Sequence, residues 1–261
     1  MNQHTPLEFG LYTLGDHLMN PENGTKLSYE QRICQIIEMS QLAEQAGLDV
    51  FAVGESHQEH FTTQAHSVVL GAIAQATSSM KISSSSSIIS AADPVRVFED
   101  FATLDLISRG RAELVAGRGS RTGLFELFGL DINDYDALFE EKLDLLMQLN
   151  ANDRITWSGQ FRPDLHNMKI FPRPVDDYLP IWRAVGGRPP SAIKAGKAGI
   201  PMMMTTLGGP AEVFKDAVDA YRQAGEDAGH DMSPESMPLS TASLFYTAKT
   251  SQQALDEYYP H

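Results

Sequence analysis

The sequence predicts a (β/α)8 TIM barrel, and three observations carry that prediction. Seven short apolar runs of strand character alternate with helical patterns along the chain. Two of those runs end in glycine and arginine just before a helix, the way parallel strands present ligand loops at one face of a barrel. The length of 261 residues fits one large α/β domain, 1–261, and neither a linker nor an internal repeat interrupts it. A doubly wound open sheet is the second architecture this order allows.

Residues 7–14 read as the first strand, and Pro21 and Gly24 mark a loop after it. Ser28 and Gln31 form a capping box, after which Ile33, Ile36, Ile37, Met39 and Ala43 recur at helical spacing until Gly47. Residues 48–53 form a short buried strand, followed by the polar cluster Glu55-Ser56-His57-Gln58-Glu59-His60 and a helix over 68–76. Residues 81–90 hold five consecutive serines, Ser83 to Ser87, between Ile82 and Ile88-Ile89. Such a run reads as linker by composition, but its place between two strong helices favours a strand of small residues with room for something flat.

Asp93 and Pro94 open a helix whose buried face is Val97, Phe98, Phe101, Leu104 and Ile107. Residues 112–116 are a strand that breaks into Gly117-Arg118-Gly119-Ser120-Arg121. A helix over 136–149 turns Phe139, Leu143 and Leu146 inward. Residues 155–171 form an excursion with a hairpin around Ser158-Gly159. Residues 179–185 are the fifth strand, ending in Gly186-Gly187-Arg188 before a helix from Ser191. Residues 200–206 and 239–247 are the last strands, with a helix over 210–228 between them and another starting at Ser251.

A formal net charge of −14 disfavours nucleic acid and anionic membrane as partners, because phosphates are repelled. Cys34 is the single cysteine, which excludes an internal disulfide and suits a reducing compartment; its helical setting predicts a packed thiol rather than a nucleophile. The N-terminus lacks a basic-then-apolar leader, and no apolar run is long enough to span a bilayer. A cytoplasmic location is expected.

Glycines let a backbone approach a ligand, and a fixed cation among them suits an anion. Gly117, Arg118 and Gly119 therefore form one candidate phosphate element. Gly186, Gly187, Arg188 and Ser191, at a helix start with unpaired amides and a favourable dipole, form another. Tight turns and arginine–carboxylate pairs explain the same residues without a ligand. A Rossmann fingerprint is not met, because no acidic residue ends a second strand about 20 residues on. His57 is the candidate acid/base, with Glu55 beside it. Glu59 and His60 read equally well as surface. A metal site on His57 and His60 lacks a helical ligand frame, so none is predicted. Met202 to Met204 read as core.

In order, Gly54-Glu55-Ser56-His57, Asp93-Pro94-Val95-Arg96, Ser108-Arg109-Gly110-Arg111, Ala116-Gly117-Arg118-Gly119, Phe128-Gly129 and Gly186-Gly187 resemble the bacterial luciferase-like flavin monooxygenase family. The resemblance covers the whole chain and implies a barrel binding FMN at its mouth. It implies that Arg118 meets the FMN phosphate, with Gly187, Arg188 and Ser191 donating to the same group. It also implies that the flavin ring packs over Ser85 and Ser86, joined by a non-proline cis peptide.

The chemistry implied is oxidation of a small organic substrate by reduced FMN and O2. Electrons come from NAD(P)H, directly or through a separate flavin reductase. A deazaflavin-dependent dehydrogenase and a non-catalytic flavin-binding protein are the alternatives; a flavin-free phosphate-binding isomerase or aldolase lacks an evident lysine or carboxylate pair. Two departures stand out. Family members commonly have Glu-His-His where this chain has Glu55-Ser56-His57. Relatives also continue past the position of Tyr258-Tyr259-Pro260-His261 into a last strand and helix. On that reading the chain is a truncated form lacking the last βα unit; open strand edges invite oligomerisation, and a homodimer is expected.

Overall fold

Parallel pairing organises the first of the two units into which the chain divides, Met1–Ala184; Val185–His261 forms the second. The computed structural model describes residues 7–20, 23–119, 123–207 and 209–259. Pro21, named above with the first loop, Ser120 and Arg121, named with the glycine loop, and Pro260 and His261 lie outside the described residues.

In the first unit, β1 (Gly10–Thr13) leads to α1 (Tyr29–Gln45), β2 (Val50–Val53) to α2 (His66–Ala76), and β3 (Lys81–Ser84) to β4 (Ser87–Ile88) and α3 (Pro94–Ser108). Next come β5 (Ala112–Gly117), the short α4 (Gly123–Leu127), α5 (Tyr135–Ala151), the hairpin β6 (Arg154–Trp157) and β7 (Leu165–Lys169), and β8 (Ile181–Val185). β1 pairs with β2, β2 with β3, β3 with β5 and β5 with β8, every pair parallel; β4 also lies along β5. The core holds Ile36, Phe51, Leu70, Ile73, Phe98, Phe101, Leu114, Phe139 and Leu146, all essentially without solvent contact.

Local chemistry sets the helix limits. Ser28 Oγ accepts from the Gln31 amide at 3.1 Å while Gln31 Oε1 accepts from the Ser28 amide at 2.9 Å, so the capping box starts α1. Asp93 accepts from the Val95 amide at 2.8 Å and Pro94 occupies the first turn of α3. Arg111, at the head of β5, donates to the carbonyls of Ala74, Thr77 and Met80 and satisfies the end of α2.

The second unit contains α6 (Pro189–Lys197), β9 (Met202–Thr205), a 3-10 turn Ala211–Phe214, α7 (Lys215–Asp227), β10 (Leu239–Ala242) and α8 (Ser251–Tyr258). β9 and β10 pair in parallel. Met202 and Met204 pack with Val185, Ala192, Phe214, Tyr221 and Met237, so the methionine run is core as expected.

Several boundaries differ from the sequence expectation. Strand β1 begins at Gly10 rather than at residue 7, and Leu7 and Phe9 lie exposed ahead of it. The serine run is not one strand: β3 stops at Ser84, β4 covers Ser87–Ile88, and Ile89–Ala91 is a 3-10 turn. Leu104 is buried but Ile107 is 40% exposed. Cys34 is exposed rather than packed. Helix α6 begins at Pro189, two residues before Ser191, with Arg188 as its cap residue. Residues 210–228 divide into a 3-10 turn and α7, and the final strand ends at Ala242 rather than 247. No helix among the described residues is long and apolar enough to cross a membrane.

Candidate active site

The polar cluster after β2 meets the serine run after β3. Glu55 N–H donates to the carbonyl of Ser86 at 2.9 Å, and Ser85 N–H donates to that of Val53 at 3.2 Å. The Ser85–Ser86 peptide is cis, and both residues are partly exposed. Glycine makes this approach feasible from both sides. A Cβ on Gly54 would lie 2.4 Å from the Ser85 carbonyl oxygen; one on Gly117 would lie 2.1 Å from Ser86 Oγ. Both distances are inside van der Waals contact, so neither position accommodates a side chain without displacing the serine turn.

Glu55 is the centre of the polar network. Its Oε1 lies 2.7 Å from His57 Nε2, and its Oε2 accepts from the Ile88 amide at 2.6 Å. Burial raises the Glu55 carboxyl above the ordinary range, while the contacts to His57 and the Ile88 amide oppose that rise. An ionised Glu55 requires a proton on His57 Nε2, and in the neutral ring that leaves Nδ1 as the acceptor nitrogen. The His57 ring stands edge-on to Phe128, with centroids 4.9 Å apart. Ser56 is buried. Glu59 and His60 are well exposed and pair with each other at 3.2 Å, in keeping with their surface reading.

One residue the sequence reading passed over, His66, completes the network. His66, the first residue of α2, places Nε2 2.6 Å from Ser87 Oγ and Nδ1 3.7 Å from Glu55 Oε2. Burial, aided by the charge of His57, lowers its pKa to about 4, so its ring is neutral near pH 7. A histidine at the mouth of an otherwise apolar helix, six residues beyond a polar cluster, was the available signal.

At the end of β5, Arg118 donates to Asp136 Oδ1 at 3.0 Å and lies 5.5 Å from the ring centres of both Tyr135 and Phe139. Tyr135 Oη donates to the Gly119 carbonyl at 2.9 Å, tying the glycine loop to α5. The first unit thus gathers Glu55, His57, Ser85, Ser86 and Gly117 at adjoining strand ends, with Arg118 and Gly119 leading off β5. In the second unit, Gly187 has φ +78°, and a Cβ there would meet the Phe214 ring at 2.6 Å. Gly186 and Arg188 are exposed, and Ser191 sits in the first turn of α6.

A family profile described as luciferase-like monooxygenase matches residues 7–261. The chain belongs to this family. It is 29% identical over 214 residues to the N-acetyl-S-alkylcysteine monooxygenase of Bacillus subtilis, covering 76% of this chain and 59% of that one. The oxygenating constituent of 3,6-diketocamphane monooxygenase from Pseudomonas putida, solved with FMN, superposes with a TM-score of 0.80 at 16% identity. That match covers 95% of this chain and 70% of the other. An F420-dependent secondary alcohol dehydrogenase superposes with a TM-score of 0.76 at 20% identity, over 95% and 72% of the two chains. These likenesses establish the luciferase-like α/β barrel as the fold class. The chain spans about 60% of the length of the curated relatives it matches.

Proposed function

We propose that this family member binds FMN against the Ser85–Ser86 turn and oxidises a small organic substrate with it and O2. The observation that carries this reading is the Glu55–His57 pair: a carboxylate 2.7 Å from an imidazole, both largely buried, with the Glu55 backbone joined to the serine turn. A bound reduced FMN would supply two electrons and dioxygen activation, with one oxygen atom going to the substrate and the other to water.

This chain's residues do the rest. Ser85 and Ser86 offer a low, small surface for the flavin ring, kept clear by Gly54 and Gly117. Arg118 offers a planar cation for the phosphate. Glu55 fixes the His57 tautomer, and His57 Nδ1 takes or returns a proton at the reacting groups. Phe128 covers one edge of His57 and limits water there. A separate NAD(P)H-dependent reductase is proposed as the source of reduced flavin. In the second unit, Gly187, Arg188 and Ser191 are proposed as an anion-binding element in their own right, on the chemistry of a helix start.

A second reading, a deazaflavin-dependent dehydrogenase, is favoured by the F420-bound structural neighbour. On that reading His57 would take the substrate hydroxyl proton, and a bound deazaflavin would supply a hydride acceptor without O2.

The test is a fluorescence titration of the purified chain with FMN and with F420, followed by turnover under 18O2. Saturable FMN quenching and 18O in the product are expected. Preference for F420 with O2-independent turnover selects the dehydrogenase. A folded chain that binds neither cofactor overturns the proposal.

A further inference from the structure

Beside the Glu55–His57 pair lies a buried titratable side chain that the proposed reaction does not use. His66 is 8% exposed and approaches Oε2 of Glu55, whereas His57 holds Oε1. Its two nitrogens face different partners: Ser87 Oγ at 2.6 Å from Nε2, and Glu55 Oε2 at 3.7 Å from Nδ1. The second distance is too long for a hydrogen bond and within ion-pair range. A neutral ring carries one N–H and one lone pair, and the arrangement decides which is which. A lone pair on Nδ1 would face the carboxylate and be repelled, in a buried setting where screening is weak. With the proton on Nδ1, Nε2 becomes the acceptor and the Ser87 hydroxyl donates to it.

The polarity then runs in one direction: Ser87 hydroxyl to His66 Nε2, His66 Nδ1–H toward Glu55 Oε2, and His57 Nε2–H to Glu55 Oε1. Each oxygen of Glu55 faces N–H groups only. The groups facing Glu55 from the packed elements are His57 on its own loop, His66 on α2, and the Ile88 amide on β4. From α3 the residue against His66 is Phe101, with ring centres 6.1 Å apart, which brings no charge.

We propose that His66 is a positioning residue whose Nδ1–H, oriented by Ser87, keeps Glu55 an acceptor and thereby keeps His57 Nδ1 open to the reacting groups. Its role in turnover rests on the reading of His57 given above, but the arrangement itself is a property of the cofactor-free chain. It can be tested there.

The experiment is a 13C NMR titration of the Glu55 carboxyl carbon in the flavin-free chain, assigned by the loss of its signal in Glu55→Gln. The variants are His66→Leu, His66→Asn, His66→Gln and Ser87→Ala. Asparagine places an amide N–H where Nδ1 was, whereas glutamine reaches toward Ser87 and leaves Glu55 without that donor. The expected result is a Glu55 midpoint raised by about half to one pH unit in His66→Leu and His66→Gln, restored in His66→Asn. Ser87→Ala, the mildest change, gives a smaller rise and keeps the question answerable if His66→Leu does not fold.

An unchanged midpoint in the folded His66 variants, or equal restoration by asparagine and glutamine, overturns the proposal. A shifted midpoint in a chain that binds no flavin leaves it standing and removes the flavin reading. Flavin binding with an unmoved midpoint removes this proposal alone.

Discussion

Glu55 and His57, two residues apart on the loop after β2, face each other at 2.7 Å with 11% and 14% of their side chains exposed. The pair is useful only while Glu55 is charged, and burial works against that charge. Because burial raises the Glu55 pKa, protonation is favoured by the folded state; relative to an uncharged isostere, this residue stabilises the fold in acid and loses that contribution as pH rises through the raised value. Glu55→Gln is therefore expected to melt higher than the parent chain at pH 8 while turning over more slowly. A thermal melt and a rate assay on the same sample check both, and a lower melting temperature at pH 8 contradicts the argument.

His57→Ala should slow turnover by roughly 100-fold or more, the usual scale of a lost acid/base group, with FMN affinity nearly unchanged. Parallel losses of rate and affinity would assign His57 to holding the cofactor instead.

His66 sets an opposite pH slope. Its pKa is lowered to about 4 in the fold, so the unfolded chain binds a proton there that the folded chain does not. Its contribution is complete above the ordinary histidine range and is lost as pH falls from there toward about 4. The loss amounts to something on the order of 3 kcal/mol. Urea melts at pH 7 and pH 5 should show a smaller difference in His66→Leu than in the parent chain. An identical difference would mean that another group governs this window.

Much of this was legible in the sequence where one local force decides the outcome. The capping box at Ser28, the Asp93-Pro94 start of α3 and the inward residues of α5 followed from spacing and hydrogen-bond chemistry. The polar cluster around Glu55 and His57 was visible because charge at a strand end has few structural uses. Features set by distant partners were not visible. The division of the serine run sets Ser85 and Ser86 against Gly54, just past β2, and Gly117, at the end of β5. Arg183 lies inside the 179–185 strand pattern with nothing local to single it out, yet it is 2% exposed and forks onto Glu140, 43 residues earlier, at 2.6 and 2.8 Å. His66 matters through a carboxylate that periodicity cannot place beside it.

Glu140→Ala should destabilise the fold by about 3–5 kcal/mol, because it strands the buried Arg183 guanidinium over the Phe139 ring, where its Nε already has no partner among the described residues. Replacing both residues, Arg183→Met with Glu140→Leu, should recover most of the loss. Equilibrium urea unfolding measures both; a double variant no better than the single one would show that the pair does more than balance charge.

Gly117→Ala puts a methyl 2.1 Å from Ser86 Oγ and 2.8 Å from Ser86 Cβ. Overpacking of this kind costs about 1–3 kcal/mol. The displaced group is the serine turn on which the flavin is proposed to rest, so FMN affinity should fall together with stability. A variant that loses stability but binds FMN as before would move the ring away from Ser86.

Arg118 decides whether the phosphate is read in the first unit. Its guanidinium lies by Tyr135 and Phe139 and donates to Asp136, whose side chain is 68% exposed, so solvent can take over that carboxylate when an anionic ligand arrives. Arg118→Ala should weaken FMN binding by about 1.5–3 kcal/mol, the scale of one charge-assisted contact. Arg118→Lys keeps the charge without the planar fork and should fall between the two. Riboflavin, which has the ring but no phosphate, should bind the parent chain and Arg118→Ala equally well. If riboflavin binding drops as far as FMN binding does, Arg118 acts through the packing of α5 and the phosphate lies elsewhere.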